Sequence, residues 1–383
     1  MYYGDVQAVL DSYCLRCHRE DAGAPFALST YAEASAWGPA MVAAIDSGRM
    51  PPPASDPTCR DYVDSELLVL PDEAAQRIRD WVDAEMPAGD PADDLPPSTQ
   101  RFVLDEADLT VRVSEPYTPT YDDPTGRGNE YRCFTLDHGR SALFYITALH
   151  ALIDEHAISH HMVLGKIDKD GADAERGRAP GGFDCTDDSN IAIDGGFIHA
   201  WAPGQGPLRF GEGVGLPVSP DESFILQMHY YLGDDDDAGL ADQPGYALVT
   251  APSVTTPALM ETYGPTDFTV PAGDESYTLT ATAEVRQAGQ VHAIFPHMHV
   301  LGTGYEMSVG ESCVARGAFD FDNQMLYYLR EPVQAEAGDV MSIACTWNNS
   351  ASNPELIHSP PQDVSFGERT DQEMCYAFVM VSP

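Results

Sequence analysis

Two histidines at Phe295-Pro296-His297-Met298-His299 are spaced i, i+2. On a strand such residues project from one face, so both imidazoles can converge on one copper or zinc ion. The same spacing also suits two hydrogen-bonded surface histidines. Other parts of the chain supply matching donors: the adjacent pair His160-His161, His229 within Gln227-Met228-His229-Tyr230, and Met374 within Glu373-Met374-Cys375. Five imidazoles and a thioether suit an ion cycling between Cu(II) and Cu(I), the soft sulfur favouring Cu(I). Each also has a plainer reading, as a core or cross-strand residue, and methionine commonly fills gaps in cores. Adjacent side chains on a strand oppose each other, so His160 and His161 require an irregular strand start to share one ion.

A second motif stands near the N-terminus. Cys14-Leu15-Arg16-Cys17-His18 has the spacing that attaches c-type haem, with two thiols for the vinyl groups and His18 beneath the iron. A zinc or redox Cys-x-x-Cys is the competing reading. Among the methionines, Met50 precedes Pro51-Pro52-Pro53, which keeps the chain extended, and it is assigned as sixth ligand. Met41 and Met86 sit in helix-like pattern and are expected to pack. A His/Met pair raises the haem potential and suits electron transfer.

These residues need elements to position them. Tyr3 to Ser12 reads as a helix, and apolar spacing predicts another from Pro71 to Met86. Residues 1–90 are therefore expected to form a small all-α, class I-like cytochrome c domain. Pro87 to Ser98 is rich in Pro and Asp, placing a linker at 91–103. Beyond it short β-rich runs alternate with Gly, Pro and Asp turns, as in 109–113, 142–146, 224–232 and 277–285. The expectation is a multidomain chain with two all-β sandwiches, 104–252 and 253–383, divided near Val249 to Pro257.

The 383 residues include 20 basic and 61 acidic side chains, a net charge of −41. This disfavours a nucleic-acid binder and favours cationic partners, a salty habitat or a merely solvated acidic surface. Asp234 to Asp237 offer a possible calcium loop. No apolar run approaches membrane-spanning length, and no signal peptide is visible, so any export signal is expected to have been removed. Six cysteines remain beyond the haem pair: Cys59, Cys133, Cys185, Cys313, Cys345 and Cys375. They read as disulfides of an exported protein, periplasmic or secreted, with fifteen possible pairings.

From about residue 104 the chain resembles the copper type II monooxygenases, the peptidylglycine α-hydroxylating and dopamine β-monooxygenase family. The resemblance rests on His160-His161-Met162, Leu226-Gln227-Met228-His229-Tyr230, His297-x-His299 before Leu301-Gly302, and Glu373-Met374-Cys375, in that order. Ala200-Trp201-Ala202-Pro203-Gly204 adds to it. It implies two jelly-roll-like domains, each holding one copper, across a watery cleft. His160, His161 and His229 would hold an electron-transfer copper; His297, His299 and Met374 would hold the catalytic copper, where oxygen is used to hydroxylate a C–H bond. It also implies the disulfides Cys133–Cys185 and Cys345–Cys375, leaving Cys59–Cys313 to tie the haem domain to the oxygen-site domain.

The chain departs from the family where peptides are recognised. Phe295 stands where peptide-hydroxylating members place an Arg for the substrate carboxylate, and Tyr376 and Phe378 replace an Asn and a Tyr. A glycine-extended peptide would lack its charge-assisted partner, so a small apolar or aromatic substrate is expected. The expected function is a copper monooxygenase fed by its own covalent haem c and an external electron donor. The alternatives are a non-catalytic copper or electron-transfer protein on the same scaffold, or a metal-dependent hydrolytic domain. His150, His156, His199, His292 and His358 are read as structural.

Overall fold

The switch from helical to alternating apolar patterning along the chain appears in the computed structural model as two compact units. One comprises Met1–Ala54, Asp64–Val103 and Pro203–Gly206; the other comprises Ser55–Val63, Leu104–Ala202 and Pro207–Pro383. The structure describes all residues except 21, 96–102, 122–127, 180, 186–195 and 368. Residues 96–102 of the expected linker thus lie outside the described residues.

Three helices, Gln7–Tyr13, Tyr31–Asp46 and Asp72–Asp83, build the first unit. The opening helix starts later than its sequence suggests. Tyr3 is extended and Gly4 has φ of +71°, a left-handed conformation that interrupts the coil and that glycine tolerates. Thr30 and Glu33 form a capping box on the second helix, satisfying otherwise unpaired N–H groups. In the third, Ala75, Ile78 and Trp81 recur at spacing three and are all buried. Ile78 and Trp81 meet Tyr2, Val6, Leu10, Leu28 and Met41 in one core. Met41 is buried within the second helix, and Met86, which lies past the end of the third helix with φ of +58°, packs at the margin of that core.

Residues 104–383 form mostly β, sandwich-like sheets. The first pair comprises a six-stranded and a five-stranded sheet; the second comprises two four-stranded sheets, with a two-stranded ribbon besides. In the five-stranded sheet, Asn129–Leu136, Glu222–Tyr231 and Ser159–Asp168 lie side by side and antiparallel. In the C-terminal pair, Gly289–His297 lies between Tyr376–Ser382 and Tyr327–Ala335. One apolar core runs through both sandwiches, from Phe134, Leu164 and Met228 to Phe295, Met374 and Phe378.

Three disulfides staple these sheets: Cys59–Cys313, Cys133–Cys185 and Cys345–Cys375. The first lies inside the larger unit. Cys59 belongs to segment 55–63, which packs on the C-terminal sandwich. There Tyr62 donates to the Val314 carbonyl at 3.0 Å and Val63 N–H donates to the Tyr328 carbonyl at 2.8 Å. Three disulfides fit an oxidising compartment. Among the described residues, no helix is long and apolar enough to cross a membrane.

Candidate metal centres and the cavity they share

Tyr131, His229 and His161 stand directly opposite one another across three neighbouring strands. Such partners share a face of the sheet. The ring of Tyr131 stacks on that of His229, with centroids 4.3 Å apart and planes 6° from parallel. A register shift between Ser159 and His161 supplies the irregularity that two adjacent histidines need, for it gives His160 a bulged position. All three imidazoles then converge. Nδ1 of His161 lies 3.1 Å from Nδ1 of His160 and 3.3 Å from Nδ1 of His229.

The outer nitrogens settle which inner nitrogens carry lone pairs. His160 Nε2 donates to Asp322 Oδ1 at 3.0 Å, and His229 Nε2 donates to Asn129 Oδ1 at 2.8 Å. Their Nδ1 atoms are therefore the unprotonated ones. Metal–nitrogen bonds of about 2.0–2.1 Å in tetrahedral arrangement place ligand nitrogens about 3.3 Å apart, close to the spacing seen here. Among the described residues this is the group of three or more His, Cys, Asp and Glu that could hold a metal. Asp234–Asp237 forms no such group, so calcium finds no support there; the side chain of Asp235 lies outside the described residues.

The second set is built differently. His297 is the last residue of its strand, and His299 lies beyond the strand end, so strand periodicity does not by itself align them. Their ring centroids are 5.2 Å apart. His297 Nδ1 donates to Gln324 Oε1 at 2.6 Å, while Gln324 Nε2 donates to the Phe321 carbonyl at 3.0 Å, which fixes the amide's orientation. His299 Nδ1 donates to the Gln372 carbonyl at 2.9 Å. Both Nε2 atoms are thereby left as lone-pair donors.

Glu373 holds this corner together. The residue is fully buried, and its carboxylate accepts from the backbone N–H of His299, Leu301 and Met374 at 3.1, 2.8 and 3.3 Å. It also accepts from Trp347 Nε1 at 2.8 Å. Burial pushes its pKa up to about 7, and the four donors act against that rise. The Cys345–Cys375 disulfide fixes the residue after Met374 to the facing sheet.

Met374, His297 and His299 line one cavity of about 60 Å³ together with His161. Phe321 stands beside both sets, its centroid 5.0 Å from that of His160 and 6.3 Å from that of His299. Both sets thus border one largely apolar chamber within one unit, the first of them through His161. Phe197, Phe295, Phe378, Trp201 and Val163 form much of its wall, and Phe197 stacks on Phe378 at 4.3 Å. Among the described residues its lining contains no Lys, Arg, Asp or Glu. Phe321, Gln324, Tyr131 and Asp322 carry no spacing signal in the sequence. Glu373 is visible only as a neighbour of Met374.

Burial pushes the pKa of His297 down to about 4 and of His299 to about 3, the second helped by the first. His161 and His229 also lie well below 6.5, through burial and then neighbouring imidazoles. All four are neutral at pH 7, the form that binds metal. In unfolded chain they titrate near 6.5, so the stability they contribute is present above that pH and is lost as pH falls toward the folded values. For His297 and His299 together the loss between pH 6.5 and 5 is about 3 kcal/mol. Urea unfolding of chelator-treated protein at both pH values should show it, and His299→Gln should remove about half. Equal pH dependence in variant and parent would contradict the assignment.

In the helical unit, Cys14 and Cys17 are free thiols, and burial pushes Cys14 up to about 12. His18 is buried and its Nδ1 donates to the Phe26 carbonyl at 3.1 Å, which leaves Nε2 as the nitrogen with the free lone pair. Two unpaired thiols and an oriented imidazole one residue later fit covalent haem. Met50 is 41% exposed on the turn after Tyr31–Asp46. His199 pairs with Tyr246 and His292 with Ser382, which accounts for two of the remaining histidines.

Comparison with curated proteins finds no match. Solved structures with matching segments include the major capsid protein P2 of bacteriophage PM2, at 6% identity and TM-score 0.26, covering 66% of this chain and 97% of that one. Others are the VP2 subviral particle of infectious bursal disease virus, at 7% identity and TM-score 0.19 over 73% of each chain, and allantoicase, at 9% identity and TM-score 0.17 over 62% of this chain and 83% of that one. These likenesses are too weak to carry an argument. Residues 258–382 match the family model described as copper type II ascorbate-dependent monooxygenase, C-terminal domain. That match spans His297, His299, Glu373 and Met374, and it supports for this chain the copper monooxygenase family of oxidoreductases.

Proposed function

We propose that this chain is a copper-dependent monooxygenase that hydroxylates a C–H bond of a small, uncharged, apolar or aromatic molecule. Residues 1–90 are read as a haem-bearing electron port, 104–252 as the electron-transfer copper domain and 253–383 as the catalytic copper domain. The observation that carries the reading is the gathering of two donor sets around one apolar cavity. His160, His161 and His229 would hold one copper through their Nδ1 atoms. His297 and His299 through Nε2, with Met374, would hold the other. Bound copper supplies the one-electron chemistry that makes O2 reactive toward a C–H bond.

The protein's own part follows from its side chains. Gln324 and the Gln372 carbonyl hold the two imidazoles in fixed orientation in the cavity that Met374 also lines. Phe197, Phe295 and Phe378 exclude water and offer aromatic faces to an apolar substrate. Among the described lining residues a carboxylate would meet no guanidinium or ammonium, so a glycine-extended peptide would be a poor substrate. Cys14 and Cys17 would bind haem covalently and His18 and Met50 would flank its iron, which supplies electrons one at a time. The three disulfides support a periplasmic or secreted location.

Metal analysis of the exported protein is expected to give two coppers and one haem iron per chain. Incubation with O2, a reductant and a panel of small aromatic compounds should yield hydroxylated product. Copper binding without any product would favour the electron-transfer alternative. Stopped-flow absorbance tests the electron route: oxygen plus substrate should reoxidise reduced haem at the catalytic rate, and equally fast reoxidation in His229→Ala would exclude it.

A further inference from the structure

The turn Asp320–Met325 touches both histidine sets. It connects strands Ser312–Ala318 and Tyr327–Ala335 of the C-terminal sandwich. Its Asp322 is exposed, yet Oδ1 accepts from Nε2 of His160, a residue of the N-terminal sandwich, at 3.0 Å. Two residues on, Gln324 is buried and holds His297 Nδ1 at 2.6 Å. Directly before Asp322, the carbonyl of Phe321 accepts from Gln324 while its ring packs near His160 and His299. Asp320 accepts from the Asp322 N–H at 3.0 Å through its side chain and from the Asn323 N–H at 3.2 Å through its carbonyl. A displacement of Asp322 therefore moves the support of Gln324 as well.

We propose that this turn is a shared outer support that couples the two metal sets, with Asp322 the positioning residue for His160. The inference rests on the copper reading given above. A carboxylate accepting from the far nitrogen of a ligating imidazole fixes its tautomer and raises its basicity, and loss of such a partner typically weakens metal binding by about 10–100-fold. Asp322 differs from Asn129, the partner of His229, in coming from the opposite sandwich. Occupation of the His160 set should therefore organise the turn for His297, and the reverse by linkage.

The test uses the full-length protein and copper alone, titrated against a chromophoric competitor and followed by electron paramagnetic resonance. In the parent, filling the His297 set should tighten the His160 set by about five-fold or more. Asp322→Ala should weaken copper at the His160 set by about 10–100-fold, alter its resonance parameters and bring the coupling close to one. Asp322→Asn keeps an acceptor oxygen and should recover most of the affinity. Unchanged affinity, spectrum and coupling in Asp322→Ala would overturn the proposal while leaving the copper reading intact. A parent chain that binds no copper at His160, His161 and His229 would overturn both.

Discussion

Met374→Ile is expected to lower hydroxylated product by at least about 100-fold, since a direct ligand matters more than an outer partner, whose loss already costs up to that much. Isoleucine keeps the apolar bulk at this buried position, and a swap of similar volume costs less than about 1.5 kcal/mol. What disappears is the sulfur, the soft donor that favours Cu(I) beside two imidazoles. Copper should fall from two per chain toward one, and the remaining ion should keep the spectrum of the His160, His161 and His229 set. Product formation above half the parent rate would show that Met374 is a packing residue and that the catalytic centre has been misplaced.

Glu373→Ala should have the largest effect on stability, about 4 kcal/mol or more. Four donors lose their acceptor at once in a fully buried setting, and each unsatisfied group costs about 1–3 kcal/mol. The damage is also local. The backbone of His299 and Leu301, the Trp347 indole and the N–H of Met374 all converge on this carboxylate, so second-set geometry loosens together with the fold. Glu373→Gln retains one acceptor oxygen but turns an NH2 group toward donors, and should lose about half as much. Urea midpoints of the metal-free variants give the comparison. A midpoint for Glu373→Ala within about 1 kcal/mol of the parent would mean that water replaces the carboxylate, against the burial observed.

Some of this was legible in one dimension because covalent spacing does the work. Cys14, Cys17 and His18 sit within a single turn, so their proximity needs no tertiary fold. The β-rich character of 104–383 follows from alternating apolar residues punctuated by turns. The irregular start required by His160 and His161 was readable as a requirement, and the register shift after Ser159 meets it. Strand periodicity was a poorer guide at His299, which lies past the strand end and is held by Gln372 and Glu373 instead. A local pattern cannot report a partner more than seventy residues away.

By itself the sequence determined the donor types, the haem-attachment spacing, the all-β character of the larger part and the absence of an arginine at Phe295. Only the tertiary structure decided that His161 shares a cavity with His297, His299 and Met374, that the chamber carries no charged lining residue among those described, and that Asp322 reaches His160. The physical reason is range. Helix, strand and motif signals arise from neighbours along the chain, whereas a metal cup and its outer supports arise from contacts between residues far apart in it, 68 positions for His229 with His161 and 162 for Asp322 with His160.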